Sequence, residues 1–123
     1  MSRSASAEFA RQHESGFFLM PNAWDVGSAR ILEAMGFSAI ATTSSGLAAT
    51  MGRGDHGVSR NELVRHVEAL CSGVSIPVNV DSEVLFPDER GGIAESVRML
   101  AAAGAGRLLD RGPRPCGQRR VGI

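Results

Sequence analysis

The spacing of apolar residues changes along the chain, and each change marks an element. Residues 5–14 set Phe9 among helix-compatible neighbours and predict a short leading helix, with His13 on its surface. After Gly16, the run Phe17, Phe18, Leu19, Met20 predicts a first strand, stopped by Pro21. Asn22, Ala23, Trp24 and Asp25 then form a turn, with Asp25 as the N-cap of a helix over 26–35. The apolar stripe of that helix reads as Gly27, Ile31, Ala34 and Met35, widened by Leu32, and Gly36 supplies the left-handed residue that ends it.

The β-branched and small residues of 38–43 predict a second, buried strand. It opens into a polar turn, Ser44-Ser45-Gly46-Leu47, and a short helical piece ending near Met51. Beyond a loop from Gly52 to Val58, Ser59 and Glu62 have the spacing of a capping box, and Leu63, Val67 and Leu70 follow at helical period, closed by Gly73. The stretch Ile76-Pro77-Val78-Asn79-Val80-Asp81-Ser82-Glu83 reads as a third buried strand, and residues 92–103 as a helix presenting Ile93, Val97 and Leu100 before Gly104. Strand then helix, repeated, calls for parallel strands with crossover helices, an α/β fold.

The bulk numbers narrow the partner more than the fold. With 123 residues, 43% hydrophobic and 21% charged, the chain suffices for one domain with one core. Lys+Arg and Asp+Glu balance at 13 each, so no field draws nucleic acid or an anionic membrane, and a small molecule is the expected partner. No apolar run reaches the ~20 residues of a membrane span. The first residues lack the apolar core of a secretory signal, and two cysteines make neither a disulfide framework nor a metal motif. A cytoplasmic location is expected.

Chemistry gathers where strands end. Asn22 with Asp25, Thr43 to Ser45, and Asp81 with Glu83 all fall at the C-terminal ends of predicted strands, where α/β proteins carry their sites. Asp81 and Glu83 stand two apart, so in extended chain they point to one side and could seat a hard divalent cation. The plainer reading is a loop-capping Asp81 and a solvated Glu83. His56 adjoins Asp55 and could approach the site; His66 borders an apolar stripe and reads as a hydrogen-bonded structural residue; Cys71 reads as core, and Cys116 receives no chemistry. Gly52, Gly54 and Gly57 lack the lysine of a phosphate-binding P-loop, and Arg53-Gly54-Asp55 is discounted as an adhesion tripeptide.

Several motifs in order resemble the isocitrate lyase/phosphoenolpyruvate mutase superfamily: Pro21-Asn22-Ala23-Trp24-Asp25 with Gly27-Ser28-Ala29, then Gly36-Phe37, Ala41 to Ala48, and Pro77 to Glu83. The resemblance runs from about Phe9 to Gly104 and implies the first three to four βα units of a (β/α)₈ TIM-type barrel. It implies Mg²⁺, with Mn²⁺ as the alternative ion, and a lyase or mutase acting through an enolate on a small carboxylate or phosphonate substrate. Full-length members are expected to be homo-oligomers. By the same resemblance Ser45, Gly46 and Leu47 hold the substrate oxygens, Trp24 and Asp25 belong to the pocket, Asp81 is the principal metal carboxylate, Glu83 a second acid acting through water, and Asp55 an outer-shell acid.

Two departures stand out. Where many members place glycines after the second acid, this chain has Val84-Leu85-Phe86-Pro87. From Arg107 the sequence turns basic and Pro/Gly-rich, where the family has a fourth strand ending in Ile-Glu-Asp. Residues 1–106 are therefore expected to be the N-terminal part of a barrel and 107–123 an aberrant, disordered tail. Codons exist for Leu109 to Gln118 that, read one nucleotide later, spell Ser-Ile-Glu-Asp-Pro-Asp-Pro-Ala-Gly, so a frameshifted end is expected. The alternatives are an inactive truncated fragment or a non-catalytic small-molecule or subunit-binding module.

Overall fold

Local capping signals place the helices. In the computed structural model, which describes residues 3–109, a leading helix α1 spans Arg3–Arg11 and a second, α2, spans Val26–Ala34. Asp25 caps α2 as expected: its carboxylate accepts from Ser28 N at 2.7 Å, and the Ser28 hydroxyl accepts from Asp25 N at 3.2 Å. Gly36 takes φ 93° just past the helix end, a conformation that costs glycine nothing. A short α3 covers Ser44–Thr50, and α4 covers Arg60–Gly73 with the Ser59/Glu62 box fully formed, Glu62 N to Ser59 Oγ at 3.2 Å and Ser59 N to Glu62 Oε2 at 2.9 Å. The last helix, α5, is Gly92–Ala102.

Three strands, β1 (Ile40–Ala41), β2 (Val78–Asp81) and β3 (Arg107–Leu109), form one parallel sheet in the order β1-β2-β3. Ala41 lies opposite Asn79, and Asp81 opposite Leu109. Sequential strands are spatial neighbours throughout, without the reversal of order that marks doubly wound sheets. Ile40, Val78 and Val80 pack with Leu63, Val67 and Leu70 of α4 and Leu100 of α5 in a single core. The α1 side lies at the other end of the strands: Gln12 Nε2 donates to Ser38 O at 2.8 Å, and Arg107 lies over the Phe9 ring. The strand C-termini are thereby left to the loops.

Several expectations are corrected. Residues 17–20 do not pair; the ladder instead engages one step later, with Ala41 N donating to Pro21 O and Ala23 N to Ala41 O, each at 2.9 Å. Phe17 and Leu19 are exposed, and the residue bonded to Ala41 of β1 is the small, fully buried Ala23. On α2 the stripe is turned: Ile31 and Met35 face outward, and Val26, Ala29 and Leu32 pack inward. Polar anchors orient that helix, Arg30 Nε donating to Gly73 O at 3.1 Å and Glu33 accepting from Ser75 N at 2.8 Å. On α5, Leu100 is buried and Ile93 is half exposed.

Gly73 does not end α4 by a left-handed turn. It is the last helical residue, and a Cβ there would stand 2.7 Å from Val26 Cγ1, so its role is close approach of α2 to α4. Arg107 opens β3 rather than a structureless tail; the rest of the expected tail, from residue 110, lies outside the described residues. Among the described residues no helix is long and apolar enough to cross a membrane.

Candidate active site

The site forms where β1 and β2 end. On β2, Val78 and Val80 face the helices, so the alternating pleat sends Asn79 and Asp81 to the opposite face. Asp81 N donates to Thr42 Oγ1 at 2.9 Å, tying the two strand ends together. The Asp81 carboxylate is buried and accepts from Ser44 twice, from N at 3.1 Å and from Oγ at 3.0 Å. Ser44 Oγ also lies 3.4 Å from Asp55 Oδ1. One hydroxyl proton thus stands between two carboxylates, brought from β2 and from the loop after α3.

Glu83 does not share a side with Asp81 in the way an extended chain predicts. The chain turns left-handed at Glu83, φ 54°, and its N–H bonds back to Asp81 Oδ1 at 3.3 Å. The turn carries the Glu83 carboxylate, 3% exposed as a residue, to His56, whose Nδ1 is 2.8 Å from Oε2. His56 is itself left-handed, φ 63°, and its other ring nitrogen is 3.7 Å from Asp55 Oδ2. One ligand atom from each of Asp55, His56 and Glu83 lies within 4.8 Å of the other two. Two carboxylates and an imidazole this close suit a divalent cation, the carboxylates in the manner expected for Mg²⁺ and the imidazole as a donor that Mg²⁺ does not call for. A cleft of about 350 Å³ opens beside them, lined in part by His56, Ser59, Glu83, Phe86 and Pro87.

The structure brings together Asp55 and Glu83 directly, and Asp81 through Ser44. The Ser45-Gly46-Leu47 segment is the first turn of α3 rather than a free turn, and its N-cap is Thr43. Gly46 N donates to Thr43 Oγ1 at 3.2 Å and Leu47 N to Thr43 O at 2.9 Å, so both groups are engaged within the helix end. Ser45 is exposed, with its hydroxyl 3.4 Å from Thr43 Oγ1. Trp24, half exposed, packs against Gly46, where a Cβ would lie 3.0 Å from the indole and 2.5 Å from the Thr43 methyl. Asp25 is committed to its cap, and the Ser28 N–H holds its carboxyl below the ordinary value, with the Ser28 hydroxyl adding to the effect.

Two residues of the site were given no specific role from sequence. Ser44 was included only in the polar run Thr43 to Ser45, with the role given to Ser45, and its signal is its place as the first residue after the two threonines that follow β1. His56 was read as a neighbour of Asp55 that could approach the site, and it lies there, against Glu83. Outside the site, His66 Nε2 is buried without a hydrogen-bond partner among the described residues, contrary to expectation, and burial lowers its pKa against the pull of Asp25. Cys71 packs beside the core, and burial raises its thiol to about 11, which fits a structural role.

The profile of the phosphoenolpyruvate phosphomutase family matches residues 9–108. The chain belongs to this family. An uncharacterized protein of Mycobacterium tuberculosis is 40% identical over 93 residues, covering 75% of this chain and 36% of its own. A provisionally assigned lyase/mutase from Burkholderia cenocepacia superposes with a TM-score of 0.78 at 39% identity, over 83% of this chain and 37% of that one. A 2,3-dimethylmalate lyase of the PEP mutase/isocitrate lyase superfamily shares the fold, with a TM-score of 0.76 at 24% identity over 85% of this chain and 39% of that chain. The chain thus spans little more than a third of each relative. Its α/β fold resembles the N-terminal part of the family's TIM-barrel enzymes.

Proposed function

We propose that this phosphoenolpyruvate phosphomutase family chain carries the metal-binding half of a lyase or mutase site, working on a small 2-oxo or hydroxy carboxylate, or its phosphonate counterpart, through an enolate. The observation that carries the reading is the meeting of Asp55 and Glu83, with Asp81 one serine away, at the C-terminal ends of parallel strands. Residues 1–106 are read as the opening βα units of a barrel, for which the consecutive parallel order of the sheet is the support.

Asp81, Glu83 and Asp55 would hold the divalent cation, Mg²⁺ in this reading, which supplies Lewis-acid polarisation of the substrate's carboxylate and carbonyl oxygens when bound. Ser44 fixes the Asp81 carboxylate by two hydrogen bonds, so that the acid is oriented before any ligand arrives. The exposed Ser45 hydroxyl would take a substrate oxygen, while the Gly46 and Leu47 N–H groups stay bonded to Thr43 and hold the turn that presents it. Trp24, packed on Gly46, would form the pocket wall on that side.

The test is release of pyruvate or glyoxylate from 2-methylisocitrate, phosphonopyruvate and oxaloacetate with Mg²⁺ present or chelated. It is run on the 123-residue chain and on a version continued in the shifted frame expected above. Metal-dependent turnover in either, abolished by Asp81→Asn, is the expected result. Absence of turnover in both, with the ion demonstrably bound, overturns the reading.

A further inference from the structure

The imidazole of His56 is the one feature of the site that an all-oxygen cation seat does not call for. Mg²⁺ sites are built of carboxylates, carbonyls and water, and a nitrogen donor adds little for so hard an ion. Here a nitrogen stands inside the carboxylate group, with Nδ1 2.8 Å from Glu83 Oε2. Two ligand atoms on adjacent corners of an ion with bonds of about 2.1 Å are separated by about 3 Å, so this pair already has the spacing of ligands sharing one ion. Asp55 completes a set of three within 4.8 Å.

The backbone supports the same conclusion. Both His56 (φ 63°) and Glu83 (φ 54°) are held left-handed, a conformation that costs a non-glycine residue about 1–2 kcal/mol. The loop of His56 holds one such residue and the loop of Glu83 holds three, Leu85 and Phe86 being the others; His56 and Glu83 are the two whose side chains meet. Strain kept at both partners of one contact points to a contact with a use.

We infer that His56 is a metal ligand together with Asp55 and Glu83, and that its nitrogen makes the site favour a borderline first-row ion such as Co²⁺ or Zn²⁺ over Mg²⁺. On binding, the ion displaces the proton shared by Nδ1 and Oε2, and that proton leaves to solvent. The inference rests on the reading of this cluster as the cation site, and it changes that site's ligand set and ion preference.

The experiment uses the full chain, freed of metal by chelation and titrated separately with Co²⁺, Zn²⁺ and Mg²⁺, with binding followed by calorimetry and by Co²⁺ visible absorption. His56→Asn and His56→Gly are the variants, since both residues accept the left-handed backbone and keep the fold. The expected result is about a tenfold or greater loss of Co²⁺ and Zn²⁺ affinity in both variants, with Mg²⁺ affinity changed less than about twofold. A hyperfine-shifted imidazole proton in the Co²⁺ form, absent from both variants, would accompany it. Equal loss for all three ions, or no loss for Co²⁺ and Zn²⁺, overturns the inference. Because no substrate is present, a failure here leaves the turnover assay standing, and binding without turnover leaves this inference standing; if no ion binds at all, both fall.

Discussion

Ser44→Ala probes the support of the Asp81 carboxylate, with a weaker contact to Asp55 lost alongside. The substitution keeps the backbone N–H that reaches Asp81 Oδ2 at 3.1 Å and removes only the hydroxyl at 3.0 Å. Both residues are buried, Ser44 at 1% exposure and Asp81 at 7%, so water does not simply take the place of the lost donor. A hydrogen bond to a charged group is worth about 1.5–3 kcal/mol, against which the better helix propensity of alanine returns about 0.5 kcal/mol at the first position of α3. The net expectation is a loss of about 1–2.5 kcal/mol at pH 7, read as a lower urea midpoint with unchanged slope. Ser45→Ala, one residue on and exposed, serves as the control and should stay within about 0.5 kcal/mol of the parent. In an Asp81→Asn background the Ser44 substitution should cost about 1 kcal/mol or less, since a neutral acceptor weakens the bond. A Ser44→Ala cost below about 0.5 kcal/mol, or the same cost in both backgrounds, would refute the claim that this hydroxyl holds a buried charge.

Gly73→Ala should destabilise by about 1–3 kcal/mol, because its Cβ would stand 2.7 Å from Val26 Cγ1, and adding Val26→Ala should restore part of the loss in urea melts. Glu62 bonds Arg53 first and then the Ser59 N–H, which lowers its pKa from 4.5 to about 2. A depressed carboxylate stabilises the fold fully above the unfolded value and loses that contribution as pH falls through the folded one. Glu62→Gln, which keeps the capping geometry, should therefore lower the urea midpoint at pH 7, and the gap from the parent should close between pH 4.5 and about 2. A gap that is constant over that range would deny the charge its part.

Much of this architecture is legible because its signals are local. Asp25 with Ser28, Ser59 with Glu62, and Gly36 act within one turn of chain, and the structure has each where the spacing put it. What failed depended on distant partners. The strand expected at 17–20 was displaced to Pro21 and Ala23, whose pairing with Ala41 depends on a partner distant in sequence that no local pattern reports. The face of α2 was misread because Ile31 and Met35 dominate an apolar stripe, whereas Arg30 and Glu33, through Gly73 and Ser75, decide how the helix sits. In the site, Asp55 and Glu83 were named in advance by resemblance, but the reason they meet was not. Period two carried Glu83 to the side of Asp81; the actual left-handed turn carries it to His56, and the sequence there contains no glycine to announce such a turn.

That turn has a mechanical consequence. After Glu83, the chain is left-handed again at Leu85, φ 57°, and Phe86, φ 51°, with Leu85 sunk into the core and its N–H bonded to Ser82 O at 2.9 Å. A run of bulky residues in this conformation is a wound spring, and the buried leucine is the latch that keeps it wound. Where glycine would let such a loop drift among many shapes, these side chains leave it one. The aim of the Glu83 carboxylate is therefore set from the oily side of the loop, and shortening Leu85 would release the acid without touching a single polar group.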